Sequence, residues 1–193
     1  ELEAAAQRDV LAVVAGKNKD ELFDDTTADV FIGTEAVLHR CRRIDVVAFL
    51  DFDSELLAPR YQASEQAMAL IAKAARLVGI RERGGRIILQ TSLPDNDVVL
   101  AAVAGNPGIL SQAELARREM LDFPPVSALA VIEGEGGGAF ASSLSAMGGI
   151  TVVEHREKWL VRASSHDVLT HAFMNTERPA HSKIRIEVDP PRI

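Results

Sequence analysis

Lys73-Ala-Ala-Arg-Leu-Val-Gly-Ile80, Arg81-Glu-Arg-Gly-Gly85 and Arg86-Ile-Ile-Leu-Gln-Thr91 follow one another without a break. The first piece ends a run from Ser64 to Val78 that carries Ala, Met and Leu at helical spacing. The second is a basic, glycine-bearing loop. The third holds a short apolar run, Arg86 to Gln90, that reads as a strand. Helix, loop and strand in this order recur through the first part of the chain.

Upstream, Val10-Leu-Ala-Val-Val14 is a continuous apolar run, the pattern of a strand buried on both faces. Asp29-Val-Phe-Ile-Gly-Thr34 is a second strand, closing on a Gly-Thr loop. Val46-Val-Ala-Phe-Leu50 is a third, ending at Asp51-Phe-Asp53. Glu1 to Gln7 reads as a helix end, and Lys19 to Asp24 as a short helix or turn. Strands alternating with helices and rich in Val and Ile predict a mostly parallel α/β sheet. Asn96 to Ala104 and Ser111 to Met120 then read as two helices separated by Asn106-Pro-Gly108. Ser111 is placed as an N-cap with Glu114 as its capping-box partner. Pro124-Pro125 ends the second helix and marks the expected boundary between a domain at 1–122 and one at 126–193.

The pattern changes after Pro125. Ala128 to Ile132 is a strand, Gly134 to Gly138 a glycine-rich turn, and Ala139 to Met147 a helix. Ile150 to Val153 and Trp159 to Arg162 are strands joined by a tight polar turn. Ser165 caps a helix running to Asn175, and Ile184 to Val188 is the last strand. The order βαββαβ is a ferredoxin-like split pattern in a small α+β domain.

Composition bounds the function. A net charge of −7 argues against a protein coated in basic surface, so any nucleic-acid contact must come from local patches. The single cysteine, Cys41, excludes an internal disulfide and a cysteine-based zinc cluster, and fits a reducing cytoplasm. No apolar run reaches the length of a membrane span, and no signal peptide is visible. The start at Glu1, without a methionine, is read as that of a piece of a longer protein.

Several segments together resemble the C-terminal part of the primosomal protein N-prime family of replication-restart helicases. Ile32-Gly-Thr34 looks like the opening of that family's motif V. Leu50-Asp-Phe-Asp53, with Pro59-Arg-Tyr-Gln-Ala63 and Glu65, resembles its Asp-x-Asp and Pro-Asp-Phe-Arg-Ala-x-Glu-Arg run. Gly85 to Thr91 resembles the strand after the final motif. Glu114-Leu-Ala-Arg-Arg118 with Phe123-Pro-Pro125 resembles its Glu-x-x-x-Arg to Pro-Pro stretch, and Val188-Asp-Pro190 its ending. The resemblance runs from about Asp29 to the end. It implies a partial RecA-like second helicase lobe followed by the small domain. It also implies a cytoplasmic, nucleoid-associated protein whose partners are forked or single-stranded DNA, single-stranded DNA-binding protein and other primosome components. The family uses ATP with magnesium, and zinc, held by parts not present in this chain, so no cofactor is expected here.

The departures from the family are as informative. Leu77 and Ile80 stand where the final motif's arginines would be, and an aliphatic side chain cannot neutralise a developing oxyanion. Leu38 to Arg43 replaces the Lys-Gly-His segment, and Arg60 and Gln62 replace the family's Asp and Arg. These changes resemble the degenerate actinobacterial type. The implied function is binding of stalled or branched forks during replication restart without intrinsic helicase activity. Two alternatives stay open: an ATP-dependent 3′–5′ helicase with its first lobe upstream, and a protein-docking or small-ligand module.

Individual residues carry weaker signals, each with a plain structural counterpart. Gly33 and Thr34 form a degenerate nucleotide loop, or a turn in which Thr34 caps the next helix. Ala15-Gly16-Lys17-Asn18 lacks the earlier glycine and following hydroxyl of a phosphate loop and reads as a turn. Arg40, Arg42 and Arg43 form the densest basic run, placed to grip phosphates. Arg81, Arg83 and Arg86 form a second cluster, divided between phosphate binding and solvation. Lys158, Arg162, Lys183 and Arg185 fall on strands of the second domain. Lys183, Arg185 and Glu187 share one face by period two, and Ile184, Ile186 and Val188 the other. That charged face is either solvated or a nucleic-acid platform, with Trp159 its one candidate for base stacking. Asp51, Asp53 and Glu55 read as a strand-end turn rather than a metal site. The five histidines show no zinc spacing.

Overall fold

The structure, a computed structural model, describes residues 10–13, 29–41, 43–79 and 84–190. The readings made for Glu1–Gln7, Ala15–Asn18 and Lys19–Asp24, and those for Arg42, Ile80, Arg81 and Arg83, lie outside the described residues. The chain divides into two compact units. One runs up to Ala58 and takes in Ser64–Gly105, and the other comprises Pro59–Ala63 and residues from Asn106 on.

The first unit is α/β. Strands β1 (Val10–Val13) and β2 (Val30–Gly33) pair in parallel, as do β3 (Val46–Phe49) and β4 (Arg86–Leu89). Between them lie helices α1 (Ala36–Arg40), α2 (Asp53–Leu56) and α3 (Ala63–Val78), and α4 (Asp97–Ala104) follows. Helix α3 forms because Ala67, Leu70, Ile71 and Ala74 repeat at helical spacing, and all four are buried. It ends where Gly79 enters the left-handed region and donates its amide to the Ala75 carbonyl. The chain then turns into β4 at Gly85, where an added Cβ would lie 2.4 Å from the Val78 carbonyl oxygen. Asn96 caps α4 by accepting from the Val98 amide, and Gly105 terminates it in the left-handed conformation.

The second unit opens with helix α5 (Gly108–Leu121). It starts earlier than expected. Asn106 Oδ1 accepts from the Gly108 amide, so Ser111 lies inside the helix and its hydroxyl donates to the Pro107 carbonyl. Glu114 is buried and paired with arginines instead of completing a capping box. By compactness the break in the chain falls ahead of α5, so this helix and Pro124-Pro125 sit inside the second unit.

Then follow β5 (Ala128–Glu135), α6 (Gly137–Ser145), β6 (Ile150–His155), β7 (Lys158–Ala163), α7 (His166–Asn175) and β8 (Lys183–Val188). This is the βαββαβ order read from the sequence. The strands form one antiparallel sheet in the order β6-β7-β5-β8. Ala128, Ala130 and Ile132 of β5 and Val161 of β7 form a core with Phe140, Leu144 and Leu169 of the two helices. Ser165 caps α7 through Val168, as expected. Asp189, in the left-handed region, fastens the end of β8. Its amide donates to the Leu129 carbonyl, one carboxylate oxygen accepts from the Leu129 amide, and the other lies 2.6 Å from His166 Nε2.

Candidate nucleic-acid interface

The basic run after β2 splits between surface and interior. Arg40 is the half-buried last residue of α1, Cys41 is buried, and Arg43 is exposed. Burial pushes the Cys41 thiol up from its ordinary range, the behaviour of an inert cysteine. The Thr34 hydroxyl does not cap α1; the Thr34 carbonyl accepts from the Val37 amide, and Glu35 occupies the cap position without its side chain capping a backbone amide. Glu35 instead reaches Lys73 of α3 at 2.5 Å, with His39 3.4 Å away. The Lys73 ammonium, then His39, holds the Glu35 carboxyl below its ordinary value.

Asp53 ties two strand ends together. Its carboxylate accepts from the Thr91 and Ser92 hydroxyls and, at 3.0 Å, from the Ser92 amide. The Ser92 hydroxyl, then that of Thr91, keeps Asp53 below the usual carboxylate range. Beside it Phe52 is fully buried and donates its amide to the Gln90 carbonyl at 3.1 Å. The Asp-x-Asp element is thus part of a strand-end turn. Among the described residues no cluster of three or more His, Cys, Asp or Glu is placed to hold a metal ion. No helix among them is long and apolar enough to cross a membrane.

The second unit gathers Lys158, Lys183 and Arg185 on one sheet face. Residue Glu133 of the central strand β5 stands in register with Lys158 on one side and Arg185 on the other. Lys158 Nζ lies 2.5 Å from the Glu133 carboxylate, and Arg185 pairs with Glu187 of its own strand at 3.2 Å. The Lys158 hydrogen bond, helped by the charges of Lys158 and Arg185, holds Glu133 below its ordinary value. Lys183 stands opposite Glu135. The sequence reading ended β5 at Ile132 and so missed Glu133. The alternation of Glu133 and Glu135 around Gly134 was the available signal.

That face is not an open platform along its whole length. Leu129 and Val131 share it with Glu133 by alternation, and both are buried. Trp159 lies on the opposite, helix-bearing face. A Cβ on Gly137 would meet its ring at 2.6 Å, and one on Gly138 at 3.0 Å. Its partial burial among core residues removes it as a base-stacking candidate. The reason is strand parity: Trp159 points with Val161, away from Lys158 and Arg162.

Arg162 contacts an aromatic ring rather than open solvent. Its guanidinium lies 5.2 Å from the centre of the Phe123 ring. The Tyr61 ring stacks on Phe123 with centroids 5.5 Å apart and planes at 17°, and the Arg118 guanidinium lies 5.4 Å above Tyr61. Arg118 also donates to the Pro124 carbonyl at 2.9 Å and pairs with buried Glu114. The order guanidinium, ring, ring, guanidinium satisfies the π faces with cations at both ends. Local sequence periodicity could not show it, since its members come from the stretch before α3, from α5, from the segment after α5 and from β7.

Three of these four side chains, Tyr61, Arg118 and Phe123, come from the segments through which the sequence resembles a known family. Curated proteins show the same relation. The chain is 31% identical over 105 residues to the replication restart protein PriA of Chlamydia pneumoniae, covering 53% of this chain and 14% of that protein. The likeness is to the C-terminal part of PriA. The PriA of Synechocystis is 29% identical over 113 residues, 57% of this chain and 14% of its own length. That of Bacillus subtilis is 24% identical over 112 residues, again 57% and 14%. The chain therefore matches a small fraction of these PriA proteins. No protein-family model matches it.

Proposed function

We propose that this chain is a DNA-contacting part of a replication-restart protein, binding forked or single-stranded DNA through phosphate contacts and lacking intrinsic helicase activity. The observation that carries this reading is the meeting of the PriA-like segments Pro59–Ala63, Glu114–Arg118 and Phe123–Pro125 in one stack. A likeness spread over separate segments gains weight when those segments build one structural unit. In this reading the first unit derives from a RecA-like lobe and the second is a ferredoxin-like domain. Its partners are DNA, single-stranded DNA-binding protein and other primosome components, and the protein works at the nucleoid.

The nucleotide side of the reading is poor. Gly33 and Thr34 are followed by Glu35, whose carboxylate is kept ionised by Lys73. The ammonium nearest that loop is therefore already paired with a carboxylate, and this leaves less charge to hold a phosphate. Leu77, at the end of α3, offers only its carbonyl, which accepts from the Ile44 amide at 3.3 Å. The one cysteine cannot supply a thiolate zinc site.

The phosphate contacts assigned are Arg40, Arg42 and Arg43 in the first unit and Lys158, Arg162, Lys183 and Arg185 in the second, with Arg81 and Arg83 as further cations. The test is fluorescence anisotropy of the full-length protein with forked, single-stranded and duplex DNA across a salt series, alongside ATP turnover. Affinity is expected to fall steeply with salt, by a log–log slope of roughly 0.9 per phosphate contact on duplex. Charge reversal at Arg42 and Arg43 should weaken forked and random DNA alike. DNA-stimulated ATP hydrolysis would instead support the helicase alternative, and retention of a partner protein without any DNA binding the docking alternative.

A further inference from the structure

Two of the cations assigned to DNA in the second unit, Lys158 and Arg185, are already paired with carboxylates. On the exposed end of the sheet, Lys158, Lys183 and Arg185 interleave with Glu133, Glu135 and Glu187, three charges of each sign. Such a lattice is neutral as a whole, and Lys158 and Arg185 each pair with a neighbouring carboxylate. Glu133 is the centre of it. It sits on the middle strand, between one cation on β7 and another on β8, where strands about 4.8 Å apart bring directly opposed side chains together. A carboxylate paired with Lys158, and in register with a second cation, occupies the position that a phosphate would take beside Lys158.

We propose that Glu133 fills the phosphate position on this face, so that DNA engages Lys158 only by displacing its carboxylate. The proposal rests on the DNA reading above and adds a built-in brake to it. A strand of DNA must break the 2.5 Å Lys158–Glu133 contact before it gains its own. The hydrogen bond from Lys158 holds Glu133 below its ordinary value, and a carboxylate is ionised at neutral pH in any case, so the brake operates across the physiological pH range. The sheet would thereby bind weakly and reversibly, with affinity set by local ion-pair exchange rather than by net charge.

The experiment is equilibrium anisotropy of the full chain and its Glu133→Gln variant with a single-stranded oligonucleotide and a fork, from low to moderate salt. The amide keeps the shape of the side chain and removes the charge. Freeing one cation for one further phosphate should tighten binding on the order of 3- to 10-fold at low salt and steepen the salt slope by roughly one contact. Asp95→Asn, at an exposed residue of the first unit, removes one charge that is no member of this lattice and should leave affinity nearly unchanged. Adding Lys158→Gln to Glu133→Gln should abolish the gain. If wild type binds DNA and Glu133→Gln binds no more tightly, the brake is overturned while the DNA reading stands. Equal tightening by Asp95→Asn would likewise overturn it, as an effect of net charge. No binding by any of these proteins would overturn both.

Discussion

Arg162 lies over Phe123, its guanidinium carbon 5.2 Å from the centre of the ring. The contact fastens β7 to the segment that follows α5, and Tyr61 stacks on the same ring. Phe123 is therefore the shared member of two interactions.

Removing that shared member should cost stability. Phe123→Ala loses ring burial, the Tyr61 pair and the Arg162 contact, and is expected to destabilise by about 2–3 kcal/mol, below the fully buried range because the ring is half-buried. Phe123→Leu keeps much of the apolar area and should cost about 1 kcal/mol. Urea denaturation midpoints measure both. An alanine variant within about 0.5 kcal/mol of wild type would show that the stack adds little.

Asp53 should shape the acid limb of the stability curve. Its folded-state value lies below the ordinary 3.8, because Ser92 and Thr91 donate to the ionised form. The unfolded chain therefore binds the proton first. The contribution of Asp53 is complete above about pH 5 and disappears as pH falls through the lowered folded value. Asp53→Asn should flatten the loss of stability on acidification below about pH 4 and cost stability at pH 7. Thermal melts between about pH 2 and 7 follow this; parallel curves for the two proteins would remove Asp53 from the account.

The β6–β7 hairpin turns through Arg156 and Glu157, with φ of 49° and 62°. Two consecutive left-handed residues suit a type I′ turn, whose preferred pair is Asn-Gly. Replacing Arg156-Glu157 with Asn-Gly should stabilise by about 1 kcal/mol, since side chains with a Cβ are disfavoured in this conformation. Calorimetry reads the change as a rise in melting temperature. A fall would mean that Arg156 or Glu157 makes a stabilising contact larger than the backbone gain.

Much of the architecture was legible from local pattern. The run Val46–Leu50 and the helix spacing through Ala67, Leu70, Ile71 and Ala74 each announce their element, because burial repeats with the backbone period. The βαββαβ order was readable for the same reason, as was the Ser165 cap. The start of α5 was misread because Ser111 looks like a cap, while the Asn106 side chain takes the Gly108 amide one turn earlier. The face of Trp159 differs from the expected one because strand parity turns it with Val161, opposite Lys158.

By itself, the amino-acid order determined most of the elements and their sequence along the chain. These are properties of neighbours in the chain, and a period of two or 3.6 residues records them. Only the tertiary structure decided that Glu133 stands between Lys158 and Arg185, and that Tyr61, Phe123, Arg118 and Arg162 form one stack. Strand register and side-chain packing unite residues distant in the chain, and no local period encodes which distant partner a charge or ring will meet.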